Sequence, residues 1–394
     1  MGMAKKQPAP IQIDHHLTSA FEPQTPLDAA TPSRSASPAL NAAFEVQRSK
    51  RSILVRWIVE PSTSFKLILL PLVLYTNWEI LAPYVQPGIE NPFAPVFLLS
   101  GRVPSSKPDD PRYQKTWFDL LFLAYYVVFF SFLRQIVTVN ISRPLAKYFG
   151  LKRESKIERF GEQVYALVYF AFFGSWGYRV MNQILSSWYN TSEFWLEYPH
   201  WDMKPELKRY YLMQFSYWCQ QLLVLILGLE KPRKDYTELV AHHFVTLWLV
   251  GQVNLYFHLA LFYMSMDIPD ACLAFSKILN YIQWNRAKVF SFLAFFVTWT
   301  YFRHYLNLRI LWSVWFEQPN VPEWTKHWSW SEGVYMTGWL QSQIFLPLFL
   351  LQLLNLFWYY LILKILIRAI ATAEADDDRS DDEGDDEPDN EKED

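Results

Sequence analysis

At 394 residues the chain is long enough for two or three soluble domains. It is 51% hydrophobic and 18% aromatic, and its apolar runs reach the roughly 20 residues that cross a bilayer, which argues instead for one polytopic membrane domain with soluble tails. The formal net charge of -3 hides an asymmetry: residues 374–394 carry 14 acids and 2 bases, a net of -12, so the other 373 residues carry +9. Binding to nucleic acid is not expected, and the two cysteines, Cys219 and Cys272, both fall in predicted helices, so a disulfide framework is not expected either.

Residues 1–49 are rich in Pro, Ser and Ala, lack hydrophobic periodicity, and read as a disordered tail. The first 20 residues hold no apolar core, so a cleavable signal peptide is not expected, and the first hydrophobic span would act as signal and anchor. Eight spans are predicted, at 64–85, 117–139, 163–186, 209–229, 236–253, 256–277, 289–314 and 343–369. The apolar stretch 236–277 would form one helix of about 60 Å, twice the hydrocarbon thickness, so a turn is placed at Gly251-Gln252-Val253-Asn254. Basic residues gather between spans two and three, four and five, and six and seven, and at the end of span eight, alternating with poorer loops at 187–208 and 315–342. By the positive-inside rule both termini are then cytosolic. The loop 86–116 is an exception, with Arg102, Lys107, Arg112 and Lys115 against Glu90, Asp109 and Asp110. Asn190-Thr191-Ser192 is a weak glycosylation sequon in a loop expected to be lumenal. The tail 372–394 is acidic and reads as disordered, and Ser380 before Asp381-Asp382-Glu383 matches an acidophilic kinase site.

Ionisable residues at membrane depth are costly and commonly mark function. His242 and His243 on the fifth span, with Asp267 and Asp270 on the sixth, lie at similar predicted depths of about 9–15 Å from the cytosolic side. Adjacent histidines point about 100° apart, so one is expected to be chemical and the other a support. They also converge poorly on one ion, and no metal site is expected. His200, His258, His304 and His327 are scattered and carry no assigned role. Asp235-Tyr236-Thr237-Glu238 reads as a helix start, with Asp235 as N-cap, Glu238 as its capping-box partner, and a supporting role for Asp235 left open.

The run Asp235 to His243, together with Met264-Ser265-Met266-Asp267-Ile268-Pro269-Asp270 and Lys277, resembles the Lag motif of ceramide synthases, which are TLC-domain membrane proteins. The resemblance covers residues 154–371, leaving residues 50–153 as two N-terminal helices and their loops. It is closer to fungal members of the longevity-assurance type. Animal members tend to have His before the first Asp, and many carry a homeobox-like insert that is absent here. The resemblance implies an all-α bundle with six TLC helices around a long lipid cavity, in the endoplasmic-reticulum membrane. It implies transfer of a long or very long acyl group from a fatty acyl-CoA to the 2-amino group of sphinganine or phytosphingosine. It also implies no bound cofactor or metal, a small single-pass regulatory subunit, and possible dimerisation.

A neutral imidazole suits removal of a proton from the sphingoid amine. Alternatively His242 attacks the thioester and carries the acyl group before aminolysis. Asp267 or Asp270 would orient the imidazole as the third member of a triad does. Arg233, Lys234, Lys277 and Arg286 are candidates to meet the CoA phosphates, against plain positive-inside topology. Rival readings are a non-catalytic TLC protein that senses or transfers lipid, which needs no paired His and Asp, and a transporter with a proton relay, which typically shows an internal repeat not seen here.

Overall fold

The computed structural model describes residues 53–85, 88–184, 191–196, 202–229, 235–251, 256–323, 326–329, 334–335 and 338–372. The expected tails at 1–49 and 372–394 lie almost wholly outside these residues, as do Ser380, Asn190, Arg233, Lys234 and the turn at 252–254.

The fold is all-α and begins with α1 (Ile53–Val59) and α2 (Pro61–Val85), broken at Glu60-Pro61. Pro61 suits the first helical turn because that position needs no N–H, and Thr63 donates to the Glu60 carboxylate at 2.7 Å to close the start. α2 leaves Leu70, Ile80 and Leu81 exposed, as befits a helix facing lipid. A four-residue turn, α3 (Ala94–Phe97), leads to α4 (Asp119–Ile136), which runs through a π-helical segment (Val137–Ser142) into α5 (Arg143–Tyr148). The Gln135 amide donates to the Ile58 carbonyl at 2.6 Å and ties α1 to α4.

The remaining long helices are α6 (Glu154–Ile184), α8 (Pro205–Ile226), α9 (Tyr236–Gly251), α10 (Tyr256–Tyr281), α11 (Asn285–Trp299) and α13 (Gly338–Thr372). A single turn, α7 (Glu193–Leu196), precedes α8. α11 continues through a second π segment (Thr300–Leu306) into α12 (Asn307–Phe316). Two-residue strands at Trp328–Ser329 and Val334–Tyr335 pair antiparallel before α13. α6 and α10 pack closely at Gly174, where an added Cβ would sit 3.3 Å from Ile268 Cγ1 and 3.6 Å from Asp267 Cβ.

The long helices overlap the eight predicted spans in position. By length and composition alone, however, three segments among the described residues are apolar enough to cross a bilayer: Pro61–Val85, Asp119–Tyr148 and Gln341–Arg368. The others carry interior polar residues that dilute their hydropathy, such as Gln163 on α6, Gln214 and Gln220 on α8 and Arg303 after α11, all buried.

In the exceptional loop 86–116, Arg112 is ion-paired. Arg112 donates to Asp110 at 2.7 Å and approaches Asp202 at 3.9 Å, and Tyr113 exchanges backbone hydrogen bonds with Met203. Beneath it, Lys208 is 1% exposed and donates to Asp119 at 2.7 Å and to the carbonyls of Ser100 and Gln114. Thr191 of the sequon is buried, its hydroxyl donating to Glu317 at 2.6 Å.

Candidate active site

A cavity of about 220 Å³ lies in the half of the bundle that holds the end of α8, the start of α9 and the end of α10. Six aromatic side chains line it, Tyr165, Phe170, Tyr217, Trp218, Trp299 and Trp358, beside the polar Glu162, Gln163 and Gln221. Into this mixed lining come His242 and His243 from α9, Asp270 from α10 and Arg303 from the second π segment. Both histidines are buried.

The two imidazoles differ in their bonding. The ring of His243 places Nδ1 2.8 Å from the Leu239 carbonyl, one turn back on α9. A carbonyl only accepts, so Nδ1 carries the hydrogen and the neutral ring keeps its lone pair on Nε2. His242 Nδ1 is buried and has no partner among the described residues. Trp218 packs edge-on against both rings, at 5.9 Å from His242 and 5.5 Å from His243, and Trp358 closes on His242 at 5.4 Å.

The carboxylates are engaged elsewhere than on the histidines. Arg303 Nη2 lies 2.8 Å from both oxygens of Asp270. Asp267 is 0% exposed and sits outside the cavity lining, where its Oδ2 accepts from Gln214 Nε2 at 2.5 Å. Gln214 in turn accepts from the Tyr169 hydroxyl at 2.7 Å and donates to Tyr210 at 3.1 Å. The triad expected from the sequence therefore does not form, because the i,i+3 pair is split between two partners on α8 and on the segment after α11. Pro269 lies between them, and without an N–H it cannot bond the carbonyl one turn back. The capping box is not formed either. Asp235 Oδ2 accepts from Trp358 Nε1 at 3.0 Å across the bundle, and Oδ1 has no partner among the described residues.

The comparisons with known proteins identify the family. A TLC-domain family profile matches residues 159–364, just over half the chain. The chain belongs to the TLC-domain family. It is 39% identical to sphingosine N-acyltransferase lac1 of Schizosaccharomyces pombe, over 77% of this chain and 78% of that protein. It is 35% identical to the sphingosine N-acyltransferase-like protein FUM17 of Gibberella moniliformis, over 81% and 83% of the two chains. With ceramide synthase LAG1 of Saccharomyces cerevisiae the identity is 37%, over 66% and 63%. The TLC relatives are named acyltransferases and ceramide synthases, the group that the Lag-like motif indicated, and the chain is a multi-pass membrane protein.

Within the TLC bundle the structure brings together His242, His243, Asp235, Asp270 and Lys277 around one cavity. Arg286 is exposed near the start of α11 and does not line it. Two basic residues were missed. Arg134 lines the cavity from α4, outside the TLC match. Arg303 is buried at the core of the site. An ionisable residue within the predicted span 289–314 was the signal for it, the same criterion that singled out the histidines.

Proposed function

We propose that the chain is an acyl-CoA-dependent ceramide synthase. It would transfer a long or very long fatty acyl group to the amine of sphinganine or phytosphingosine, releasing CoA. The observation that carries this reading is the convergence of His242, His243 and the Asp270–Arg303 pair on one cavity. A purely lipid-binding TLC protein has no need of paired imidazoles beside a buried ion pair.

Chemically, the amine must lose a proton to attack the thioester carbon. His243, with its lone pair on Nε2, is suited to take that proton, and His242 faces the same cavity as the alternative base or acyl-accepting nucleophile. Asp235, by bonding Trp358, positions the aromatic wall beside His242. Asp267 acts as a positioning residue, fastening α10 to α8 through Gln214. The acyl tail would extend beyond the cavity, which at about 220 Å³ is smaller than typical ligand pockets. The CoA phosphates would remain at the mouth near Lys277 and Arg134, joined by Arg233 and Lys234.

Residence in the endoplasmic-reticulum membrane, both termini in the cytosol, a single-pass regulatory subunit and a dimer are part of this proposal. So is phosphorylation of Ser380 in the acidic tail. The deciding experiment is acyl transfer by the purified full chain with its co-purifying partner, using panels of acyl-CoAs and sphingoid bases read by mass spectrometry. Amide should appear with the native chain and vanish with His242→Ala plus His243→Ala in a protein that still elutes as a folded species. Undiminished synthesis by that double variant would refute the assignment.

A further inference from the structure

We infer that Arg303 receives the substrate's thioester oxygen as it becomes an oxyanion, with Asp270 holding the guanidinium in place. The inference rests on the acyl-transfer reading above and assigns a residue that the Lag-like motif does not contain.

Arg303 is 3% exposed and lines the same cavity as both histidines. Its bonding is lopsided. Nη2 makes both contacts to Asp270 at 2.8 Å and a third to the Met266 carbonyl at 3.3 Å. Nη1 has only a long contact, 3.5 Å, to Asn355 Oδ1, and the Nε–H has no partner among the described residues. A guanidinium has five N–H donors, and a structural Arg–carboxylate pair commonly engages two nitrogens in a fork. Here one nitrogen satisfies the carboxylate, and donor capacity is left over on a side chain that lines the cavity, with Nε itself buried and Nη1 held by the long Asn355 contact alone. Buried polar groups are nearly always bonded, so such an exception needs a reason.

The surroundings fix this donor before substrate arrives. Trp299 packs under the guanidinium at 4.9 Å and sets its plane. The π segment Thr300–Leu306 carries the residue, and such segments recur at functional sites. A preorganised donor acts on charge that develops only in the transition state. Because Arg stays protonated, it supplies a donor and a charge, not a transferable proton.

The step balances as follows. The amine nitrogen bonds to the thioester carbon, and the carbonyl π pair moves to oxygen, which the Arg303 N–H stabilises. Collapse re-forms C=O and breaks C–S, expelling CoA thiolate. The proton lost by nitrogen passes to the histidine and then to the thiolate. If the acyl group is first carried on His242, the same oxygen passes through the same site twice.

The test uses the full chain with sphinganine and two donors: a fatty acyl-CoA, and its dithioester analogue with sulfur in place of the carbonyl oxygen. Sulfur accepts hydrogen bonds weakly. The native protein should therefore prefer the oxygen donor by about 100-fold beyond the ratio measured for uncatalysed aminolysis. Arg303→Gln should lower kcat by roughly 10²–10³ with KM for the acyl-CoA changed less than about threefold, and the preference for oxygen should collapse. Arg303→Lys should recover part of both. A merely structural role would lower activity but leave the oxygen-to-sulfur ratio at its native value, and that result overturns the inference. So does a native protein with no preference beyond the uncatalysed ratio, which requires no variant to fold. Should Arg303→Gln fail to fold, Asp270→Asn takes its place: a reduced ratio supports the inference and an unchanged one overturns it. Absence of any amide product from the native protein would instead refute the acyl-transfer reading itself.

Discussion

Replacing Lys208 with Met would remove the cation bonded to the Asp119 carboxylate, leaving Lys115 as the remaining nearby cation, at a site where the two paired side chains are 1% and 11% exposed. Lys208 Nζ also bonds the Ser100 and Gln114 carbonyls at 2.8 and 2.7 Å, so the substitution removes three bonds and the direct partner of one buried charge. Breaking one partner of a buried pair costs about 3–5 kcal/mol. In purified full-length protein this should lower the apparent thermal midpoint by ~5 °C or more. Asp119→Asn in the same chain removes the orphaned charge while keeping an acceptor for Ser100, which bonds Oδ1 at 2.9 Å. The double variant should therefore be more stable than Lys208→Met alone, with a coupling of about 1–3 kcal/mol. Activity per folded molecule should be unchanged, because the pair lies at the opposite end of the bundle from the histidines. A midpoint unmoved by Lys208→Met, or a double variant less stable than the single, would refute this account of how the 98–116 segment is fastened to α8.

Gly174→Ala should destabilise the chain by about 1–3 kcal/mol and reduce activity, because its Cβ would press on Ile268 beside Asp267; denaturation of purified protein together with acyl-transfer rates would check it. Gly101 has φ +76°, and an added Cβ would meet Thr116 and the Gln114 carbonyl, so Gly101→Ala should cost stability with no effect on the chemistry of folded molecules, measured in the same way. Lys277→Ala should raise KM for acyl-CoA about tenfold and flatten its dependence on salt, with kcat little changed; titrations at two ionic strengths would show it. Trp358→Phe removes the N–H bonded to Asp235 and should slow turnover several-fold without unfolding the protein, whereas Asp235→Asn, which keeps an acceptor, should be milder.

The sequence by itself determined the class of the protein. Apolar runs of spanning length can only be helices in a bilayer, since every backbone group must be bonded within its own segment. The same constraint made buried ionisable residues conspicuous, so His242, His243 and Asp270 were legible before any coordinate. What only the tertiary structure decided is which of these groups meet. Helical spacing put Asp267 and Asp270 on one face, but their partners, Gln214 and Arg303, come from other helices, and no local pattern encodes that pairing. Asp235 looked like a helix cap because its neighbours fit the capping pattern, yet a tryptophan 123 residues away takes its carboxylate. Arg303 was visible as a charge in an apolar span. Its place at the cavity depends on a π segment and on the packing of α10 and α13 against it, which are properties of the assembled bundle.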